Sequence, residues 1–458
     1  AYIQATKRSE GSGDGRAKAR IKTPKDKLRK LQIALYRKAK AEPKWRFWSL
    51  YGELCREEVL MEALRQVREN KGAAGIDGVQ VGDIEKGSGG SKAWVEALAQ
   101  ELKTKAYKPS PVRRVWIPKA DGKLRPLGIP TVKDRVVQTA LMQVLMPIYE
   151  ADFHPQSFGY RPKRNAWQAM EVIKEELYKG KVEIIDADLS AYFESIPHRQ
   201  LMRQLVKRIA DGSVLKLIKQ WLRAPIVEEG QDGKRRVFGN RRGTPQGGVI
   251  SPLLANLYLN DLDHGVNEGS ARKATMVRYA DDLLILCQPG KSEAIRQRLE
   301  AWLQRRGLEL NQQKTRTLNA RKETFAFLGW QISYRKSSRG RNYYHLEPGM
   351  KSRAKLMERT RQMLNHQTQW QPIGVTIGSL NAVLRGWKEY FRHGHSSNVF
   401  GHLHDLVVQR VRTWLWRKHG RSRPKFGYYT KGRITHQYGL YPMPVSYTHL
   451  TLPTNREV

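Results

Sequence analysis

The sequence has little cysteine and little negative charge, and both shortages restrict what the protein can be. Only Cys55 and Cys287 occur among 458 residues. Both lie in apolar surroundings, which disfavours a structural disulfide or a cysteine-based zinc site. Lys and Arg outnumber Asp and Glu by 83 to 43, which gives a net charge of +40. Such a charge would destabilise the fold by self-repulsion unless a polyanion binds it, so nucleic acid is the expected partner.

Long hydrophobic segments are also missing. The sequence has no apolar run long enough to span a bilayer, no basic amphipathic helix with a continuous apolar face and no signal-peptide pattern. We therefore expect no membrane partner and a location in the prokaryotic cytosol or nucleoid. The length allows two or three domains, each with its own core.

Two adjacent carboxylates interrupt an apolar, β-prone segment late in the chain. Residues 276–287 read M-V-R-Y-A-D-D-L-L-I-L-C, which predicts a β-hairpin with Asp281 and Asp282 at its tip. The usual Asn-Gly or Asp-Gly turn pair is absent. Neighbouring carboxylates repel each other, and a divalent cation is one reason to place them together. For the pair taken alone, a solvated acidic turn is the alternative.

A third carboxylate follows a second strand pattern upstream. Residues 182–193 read V-E-I-I-D-A-D-L-S-A-Y-F. Because alternate strand residues share a face, Asp186 and Asp188 are both candidates. A carboxylate at this strand end could converge with the hairpin tip to hold two Mg²⁺ ions, for which Mn²⁺ could substitute. Polymerases place such ions ~3.5–4 Å apart.

A loop motif lies between these two segments and completes a pattern. Residues 243–259 read G-T-P-Q-G-G-V-I-S-P-L-L-A-N-L-Y-L, a turn-rich loop that opens an apolar helix. The ordered set of three motifs resembles the reverse transcriptases encoded by group II introns. The resemblance covers about residues 30–436 and implies an α+β right-hand polymerase, with fingers, a palm with a small antiparallel sheet, and a helical thumb and maturase domain.

The resemblance also implies domain boundaries. It gives a basic N-terminal extension (1–53), fingers and palm (54–335), thumb and maturase domain (336–436) and a tail (437–458) that is disordered or not native. The sequence shows no Cys/His-rich endonuclease pattern, so we expect no DNA cleavage by the protein itself. Residues 82–91 are rich in Gly and Ser and are predicted to form a mobile insertion.

The implied reaction is RNA-templated DNA synthesis with an RNA template, a DNA primer or target and dNTPs. Intron RNA is a further expected partner, while the oligomeric state stays open. The family pattern selects Asp188 over Asp186 as a metal ligand, together with Asp281. Asp282 is also a candidate, although consecutive strand residues face opposite sides.

Residues that bind the incoming nucleotide are predicted partly from charge and partly from the resemblance. They are Lys119, Arg125, Phe193, Gln246 and Lys314. The first two lie on a predicted hairpin with an Asp-Gly turn, where cations could hold a triphosphate or lie on the template backbone. By resemblance, Phe193 crowds the sugar 2′ position and Gln246 lines the pocket. Core packing of Phe193 and a plain surface role for Lys314 are the alternatives.

Cations and aromatics elsewhere are predicted to contact nucleic acid. They are Arg161, Tyr279, Arg385, Trp387, Lys388, Arg410, Arg412 and Arg417. Residues 1–46 carry fifteen Lys or Arg against four Asp or Glu, which favours an RNA-contacting extension. Four histidines, at 393, 395, 402 and 404, lack the partners of a tetrahedral zinc site, so RNA-facing or exposed positions are expected.

Two alternative functions remain. One is an RNA-binding splicing maturase without polymerase chemistry, which the basic C-terminal region supports. The other is a reverse transcriptase outside introns, of the retron, diversity-generating or defence-associated kind, which the maturase-like C-terminus disfavours.

Overall fold

The computed structural model describes residues 23–118, 122, 124–230, 234–245, 247–269, 273–419 and 424–443. The chain forms two compact units. Unit 1 comprises Ala1–Phe153 and Phe193–Tyr258, and unit 2 comprises His154–Tyr192 and Leu259–Val458. In the described part of the chain, no helix is both long and apolar enough to cross a membrane.

Helices and strands alternate irregularly along the chain. The helices are α1 Pro24–Ala41, α2 Leu50–Leu54, α3 Glu57–Glu69, α4 Val81–Lys86, α5 Gly90–Lys103, α6 Val132–Glu150, α7 Ala166–Tyr178, α8 Tyr192–Ser195, α9 His198–Leu205, α10 Gly212–Arg223, α11 Ser251–Asn267, α12 Ser292–Arg305, α13 Met350–Met363, α14 Ile373–Phe391, α15 Ser397–Lys418, α16 Lys425–Tyr428 and α17 Lys431–His436. The strands are β1 Val112–Pro118, β2 Leu124–Ile129, β3 Glu183–Asp188, β4 Ile226–Glu229, β5 Arg235–Phe238, β6 Ala274–Tyr279, β7 Asp282–Cys287, β8 Arg316–Asn319, β9 Phe325–Phe327, β10 Trp330–Lys336 and β11 Asn342–Pro348.

Unit 1 contains a helical core and a four-stranded sheet. Helix α6 packs against α1 and α3 and is buried along most of its length. Thr23 and Asp26 form a reciprocal capping box at the start of α1, and Pro24 stands at the first helical position. The sheet has the order β2-β1-β4-β5. Its β1–β2 pair is the predicted antiparallel hairpin, while β1 and β4 run parallel.

The Gly/Ser-rich segment 82–91 is not the mobile insertion that its composition predicted. Most of it belongs to α4 and to the start of α5. A capping box between Gln80 and Asp83 starts α4, and Ile84 is buried. Local capping and one buried apolar side chain therefore outweigh the flexibility of the glycines.

Unit 2 is built on a fully antiparallel sheet of order β6-β7-β3-β8. Strand β7 is central and apolar after its first residue, with Leu283 to Cys287 buried. This explains the uninterrupted apolar sequence there, because both faces of the strand are covered. A second sheet, of order β11-β10-β9, follows along the chain.

The helices after β11 share one hydrophobic core with the sheet of order β6-β7-β3-β8. Trp330 on β10 and Trp414 on α15 are fully buried in this core. Helix α13 is followed by a short 3₁₀ turn at His366–Thr368. The resulting α+β architecture confirms the predicted fold class.

Candidate active site

The predicted carboxylates meet at one end of the β3–β7 pair. In the antiparallel register, Asp188 lies directly opposite Asp282. Asp281 is the second residue of the two-residue turn that joins β6 to β7, next to the Tyr279–Asp282 pair. Directly opposite residues have Cβ atoms only about 4.5–5.5 Å apart. Asp188 and the adjacent pair Asp281 and Asp282 thus concentrate three acidic side chains at one end of the sheet.

The backbone of Asp188 is held by the loop before β8. Its N–H donates to Thr315 Oγ1 at 3.3 Å, and its carbonyl oxygen accepts from the N–H of Asn311 at 2.8 Å. Lys314, in the same loop, places Nζ 3.3 Å from Asp188 Oδ2. Lys314 was predicted as a phosphate contact; in the structure it forms an ion pair with the carboxylate. Thr315 was not predicted, because nothing in its sequence context distinguishes it from a surface threonine.

Asp186 and Asp188 occupy different environments, although both lie on β3. Asp186 is opposite Leu284 on one side and Arg316 on the other, and its Oδ2 accepts from Arg316 Nε at 3.1 Å. Asp188 alone faces a second carboxylate. The strand register therefore places Asp188, and not Asp186, beside a second carboxylate, while the choice of Asp188 as the ligand stays a prediction.

Partial burial raises the pKa of Asp282 to about 6, and the neighbouring charges of Asp281, Asp188 and Asp186 contribute in the same direction. Carboxylate oxygens are the donors that Mg²⁺ prefers, and a divalent cation would relieve this repulsion. Among the described residues, no group of three or more His, Cys, Asp and Glu side chains could hold a metal ion by itself. Mg²⁺ is usually bound by one or two carboxylates together with substrate phosphates, so this donor set fits it.

The raised pKa of Asp282 leads to a prediction about stability. A carboxyl group whose folded-state pKa is raised favours folding at low pH, and this contribution is lost as the pH rises through about 6. In EDTA, Asp282→Asn is therefore expected to raise the melting temperature at about pH 7 and to leave it nearly unchanged at about pH 4. Calorimetry at both pH values measures this, and an equal change at the two would contradict it.

A buried ion pair supports the hairpin tip. Arg278 on β6 is 0 % exposed. Its Nε and Nη2 donate to the two carboxylate oxygens of Asp263 at 2.7 and 2.5 Å, and its Nη1 donates to the carbonyl oxygen of Ala280 at 3.0 Å. Ala280 has a φ of 60°, a left-handed conformation that costs a non-glycine residue about 1–2 kcal/mol. Arg278 thus fixes the strained residue that precedes Asp281.

Breaking this pair is expected to destabilise the protein strongly. Asp263→Ala would leave the buried Arg278 guanidinium without its charge partner, which costs about 3–5 kcal/mol of unfolding free energy. Asp261→Ala is the matched control, because Asp261 pairs with Arg306 at 2.7 Å and both side chains are partly exposed. The control should cost about 1 kcal/mol or less in chemical denaturation. Equal costs for the two variants would contradict this account.

The loop before α7 packs against the same tip. Its backbone is hydrogen-bonded to β6, because the N–H of Phe158 donates to the carbonyl of Arg278 at 2.8 Å. A Cβ on Gly159 would lie 2.3 Å from the Ala280 nitrogen, so only glycine fits. Arg161 is 7 % exposed, and its Nη1 donates to the carbonyls of His154 and Ser157 at 2.6 Å. This geometry favours a structural role for Arg161 over the predicted contact with nucleic acid.

The remaining predicted nucleotide contacts belong to unit 1. Lys119 and Gln246 lie outside the described residues. Arg125 is exposed on β2, opposite Ile117. Phe193 is buried, and its carbonyl accepts from the N–H of Thr244 at 2.7 Å. Core packing of Phe193, the alternative, is thus compatible with the structure, and the predicted roles of all four residues remain predictions.

Gly247, the first glycine of the Pro-Gln-Gly-Gly loop, has no room for a side chain. Gly247 has a φ of 102°, and a Cβ there would lie 2.3 Å from the carbonyl oxygen of Gly128. The backbone of this loop therefore lies close to β2 at Gly247.

The predicted contacts in the C-terminal helices divide into two groups. Arg410 and Arg417 are exposed. The others also have internal contacts: Arg385 and Lys388 lie over the ring of Tyr441 at 5.2 and 5.3 Å, Arg412 donates to the Tyr429 carbonyl at 2.7 Å, and Trp387 packs on Phe391 and Phe400. These four residues therefore help to hold the domain together, whatever else they bind.

The four histidines do not form a described metal site. His404 is buried on α15, and burial lowers its pKa. His393 is exposed and stacks on Trp167, with ring centroids 4.9 Å apart. The described part of the chain contains no group of three or more His, Cys, Asp and Glu side chains that could hold a metal ion, so the structure gives no support to a zinc site here.

An antiparallel sheet with carboxylates gathered at one end, followed by a helical domain, is the palm and thumb arrangement of a right-hand polymerase. The sequence matches the family described as reverse transcriptase (RNA-dependent DNA polymerase) over residues 117–332 and the group II intron, maturase-specific domain over residues 353–433. The chain belongs to the family of group II intron-encoded reverse transcriptase/maturase proteins.

Individual proteins are also similar to this chain. Protein YkfC of Escherichia coli is 34% identical over 355 residues, which cover 68% of this chain and 90% of that protein. Group II intron-encoded protein LtrA of Lactococcus lactis is 37% identical over 218 residues, 47% of this chain and 35% of LtrA. The alignment with a 91 kDa protein in the cob intron of Schizosaccharomyces pombe, at 28% identity, covers 67% of this chain and 46% of that protein. The last two relatives are thus matched over less than half of their length.

Among solved structures, telomerase from Candida albicans aligns over 71% of this chain and 62% of its own, at 14% identity and a TM-score of 0.41.

Proposed function

We propose that the protein is an RNA-directed DNA polymerase. The observation that supports this most is the register of β3 and β7, which sets Asp188 opposite Asp282 with Asp281 in the adjoining turn. In the reaction, the primer 3′-hydroxyl attacks the α-phosphate of a dNTP, a phosphodiester bond forms and pyrophosphate leaves. Two Mg²⁺ ions, when bound, would activate the hydroxyl and stabilise the charge of the leaving pyrophosphate.

The residues of this chain have distinct proposed roles. Asp188 and Asp281 hold the metal ions, and Asp282 supplies additional negative charge beside them. Lys314 neutralises Asp188 until metal and substrate arrive, and then becomes available to a phosphate. By family resemblance, Lys119, Arg125, Phe193 and Gln246 bind the incoming nucleotide, and the chain-wide excess of cations holds the template and primer.

Primer extension tests this proposal directly. Wild-type protein is expected to extend a DNA primer on an RNA template with dNTPs and Mg²⁺, and to stop when EDTA is added. Omitting the next complementary dNTP should stall the product at that template position. Absence of extension under these conditions, with tight binding of the primer–template, would contradict the proposal.

A second function is proposed alongside the first: binding of group II intron RNA to assist splicing and mobility. The match to the maturase-specific domain over residues 353–433 supports it, as do exposed cations such as Arg410 and Arg417. Splicing needs RNA binding but not nucleotidyl transfer, so Asp281→Ala should still rescue excision of the intron. If the wild-type protein does not affect excision of the intron that flanks its gene, this function is excluded.

A further inference from the structure

Two segments of unit 1 that are distant in sequence lie side by side. We call them the paired segments, residues 193–198 and residues 242–244. The N–H of Gly243 donates to the carbonyl of Ile196 at 2.8 Å, and the N–H of Thr244 donates to the carbonyl of Phe193 at 2.7 Å. These backbone hydrogen bonds fix the position of one segment against the other.

The backbones of the paired segments are also in close contact. Gly243 has a φ of 83°, and a Cβ there would lie 2.6 Å from the Cα atom of Glu194, so only glycine allows this approach. Arg242 adds a side-chain contact, because its Nε donates to the carbonyl of Ser195 at 2.5 Å. The paired segments therefore form one closely packed element rather than two independent loops.

The side chain of His198 completes this element. His198 is the first residue of α9, and its Nε2 lies 2.7 Å from the carbonyl oxygen of Gly243. A carbonyl oxygen can only accept a hydrogen bond, so Nε2 is the donor. Burial lowers the pKa of His198, which favours the neutral ring with its proton on Nε2. Gly243 is thus held at its N–H by a backbone carbonyl and at its own carbonyl by this imidazole.

The distance between the paired segments bears on how a nucleotide is selected. In the proposed polymerase reaction, Phe193 on one segment and Gln246, two residues beyond Thr244 on the other, bind the incoming nucleotide. Groups that select a substrate must be held within about 0.5 Å of their working positions by the residues around them. A pocket that excludes a single hydroxyl group therefore depends on contacts that keep its two sides at a fixed separation.

We infer that His198 is a positioning residue for the selection of deoxyribonucleotides over ribonucleotides. It acts through the carbonyl of Gly243 and fixes Phe193 against the loop that carries Gln246. Without this hydrogen bond the paired segments are held less firmly, and the pocket admits the 2′-hydroxyl of a ribonucleotide more readily. The inference rests on the proposed polymerase function.

Nucleotide selection in primer extension tests this role. The measured quantity is kcat/KM for dCTP divided by kcat/KM for CTP, opposite a template G. His198→Ala and His198→Phe both remove the donor, and the second retains a ring; each should lower this ratio about fivefold or more. His198→Gln supplies an amide N–H donor and should restore most of the wild-type ratio. His366→Ala, which removes an exposed histidine from the 3₁₀ turn of unit 2, is the control and should leave the ratio unchanged.

The ratio distinguishes positioning from a general effect on folding. Partial unfolding lowers the active fraction equally for both nucleotides, so it slows extension and leaves the ratio at its wild-type value. A wild-type ratio in both His198→Ala and His198→Phe would therefore overturn the inference. A ratio that falls as far in His198→Gln as in His198→Ala would also overturn it, because the hydrogen bond would then not be the cause.

Nucleotide binding without chemistry separates this inference from the polymerase proposal. A primer that ends in a dideoxynucleotide lacks the attacking hydroxyl, so the Kd of its complex for dCTP and for CTP can be measured with Mg²⁺ present. A preference for dCTP that falls in His198→Ala and returns in His198→Gln supports the inference, even if the wild type extends no primer. Extension by a wild type whose preference for dCTP survives in every His198 variant overturns this inference and leaves the polymerase proposal intact. A wild type that binds both nucleotides equally, or neither, also overturns it.

Discussion

Asp188→Ala and Asp281→Ala are each expected to abolish primer extension while leaving RNA binding nearly unchanged. The two carboxylates lie at the end of the β3–β7 pair and in its adjoining turn. Removal of a ligand to the catalytic metals should cost several kcal/mol of transition-state stabilisation, a loss of roughly a thousandfold or more in rate. Binding depends on the many cations spread over the chain, so one carboxylate contributes little to it.

Asp186→Asn is the matched control for these variants. Asp186 lies two residues before Asp188 on the same strand, but it is paired with Arg316 and faces Leu284. Its substitution should reduce the single-turnover rate less than about tenfold. A loss as large as that of Asp188→Ala would show that Asp186 is as essential to the metal site as Asp188. Normal extension by either alanine variant would refute the metal site.

Gly159→Ala is expected to reduce extension by about a hundredfold, because displacing catalytic groups by about 1 Å costs that much. The added methyl would lie 2.3 Å from the nitrogen of Ala280 and 2.9 Å from the carbonyl carbon of Tyr279. These two atoms form the peptide bond that leads from β6 into the turn that carries Asp281, so the turn itself must move. The effect should appear in kcat, measured as the single-turnover rate at saturating primer–template.

Gly265→Ala provides the comparison for this variant. Gly265 lies within α11, and a Cβ there meets nothing within 4 Å. Alanine in a helix interior is more favourable than glycine by about 0.5–1 kcal/mol, so this variant should retain full activity and gain slightly in melting temperature. If Gly159→Ala extends primers at the wild-type rate, the loop before α7 does not position the catalytic turn.

The local patterns of the sequence predicted the elements that carry the site. Apolar β-prone residues around Asp281 predicted the hairpin of β6 and β7, and the apolar run before Asp188 predicted β3. Local patterns could not predict how these strands pair, because the register depends on contacts between segments that are distant in sequence. For this reason, sequence reasoning from the residues left Asp186 and Asp188 as equal candidates, and only the family motif distinguished them.

Residues that support the site were harder to predict than residues that form it. Gly159 and Thr315 act through backbone contacts that become visible only in three dimensions. Arg161 was predicted to contact nucleic acid, and the burial of its guanidinium against carbonyl groups was not foreseen; the contact itself stays a prediction. Arg278 gave a signal that could have been used: a charged residue within an apolar strand requires a buried partner, which is Asp263.

The central claim is that Asp281 and Asp188 perform metal-dependent DNA synthesis in a protein that binds RNA independently of them. One measurement addresses it most directly: extension of a DNA primer on an RNA template by wild type and Asp281→Ala, with the bound fraction determined in the same samples. We expect the wild type to extend the primer, and the variant to bind equally well without extending it. Extension by both proteins, or by neither despite tight binding, would contradict the claim.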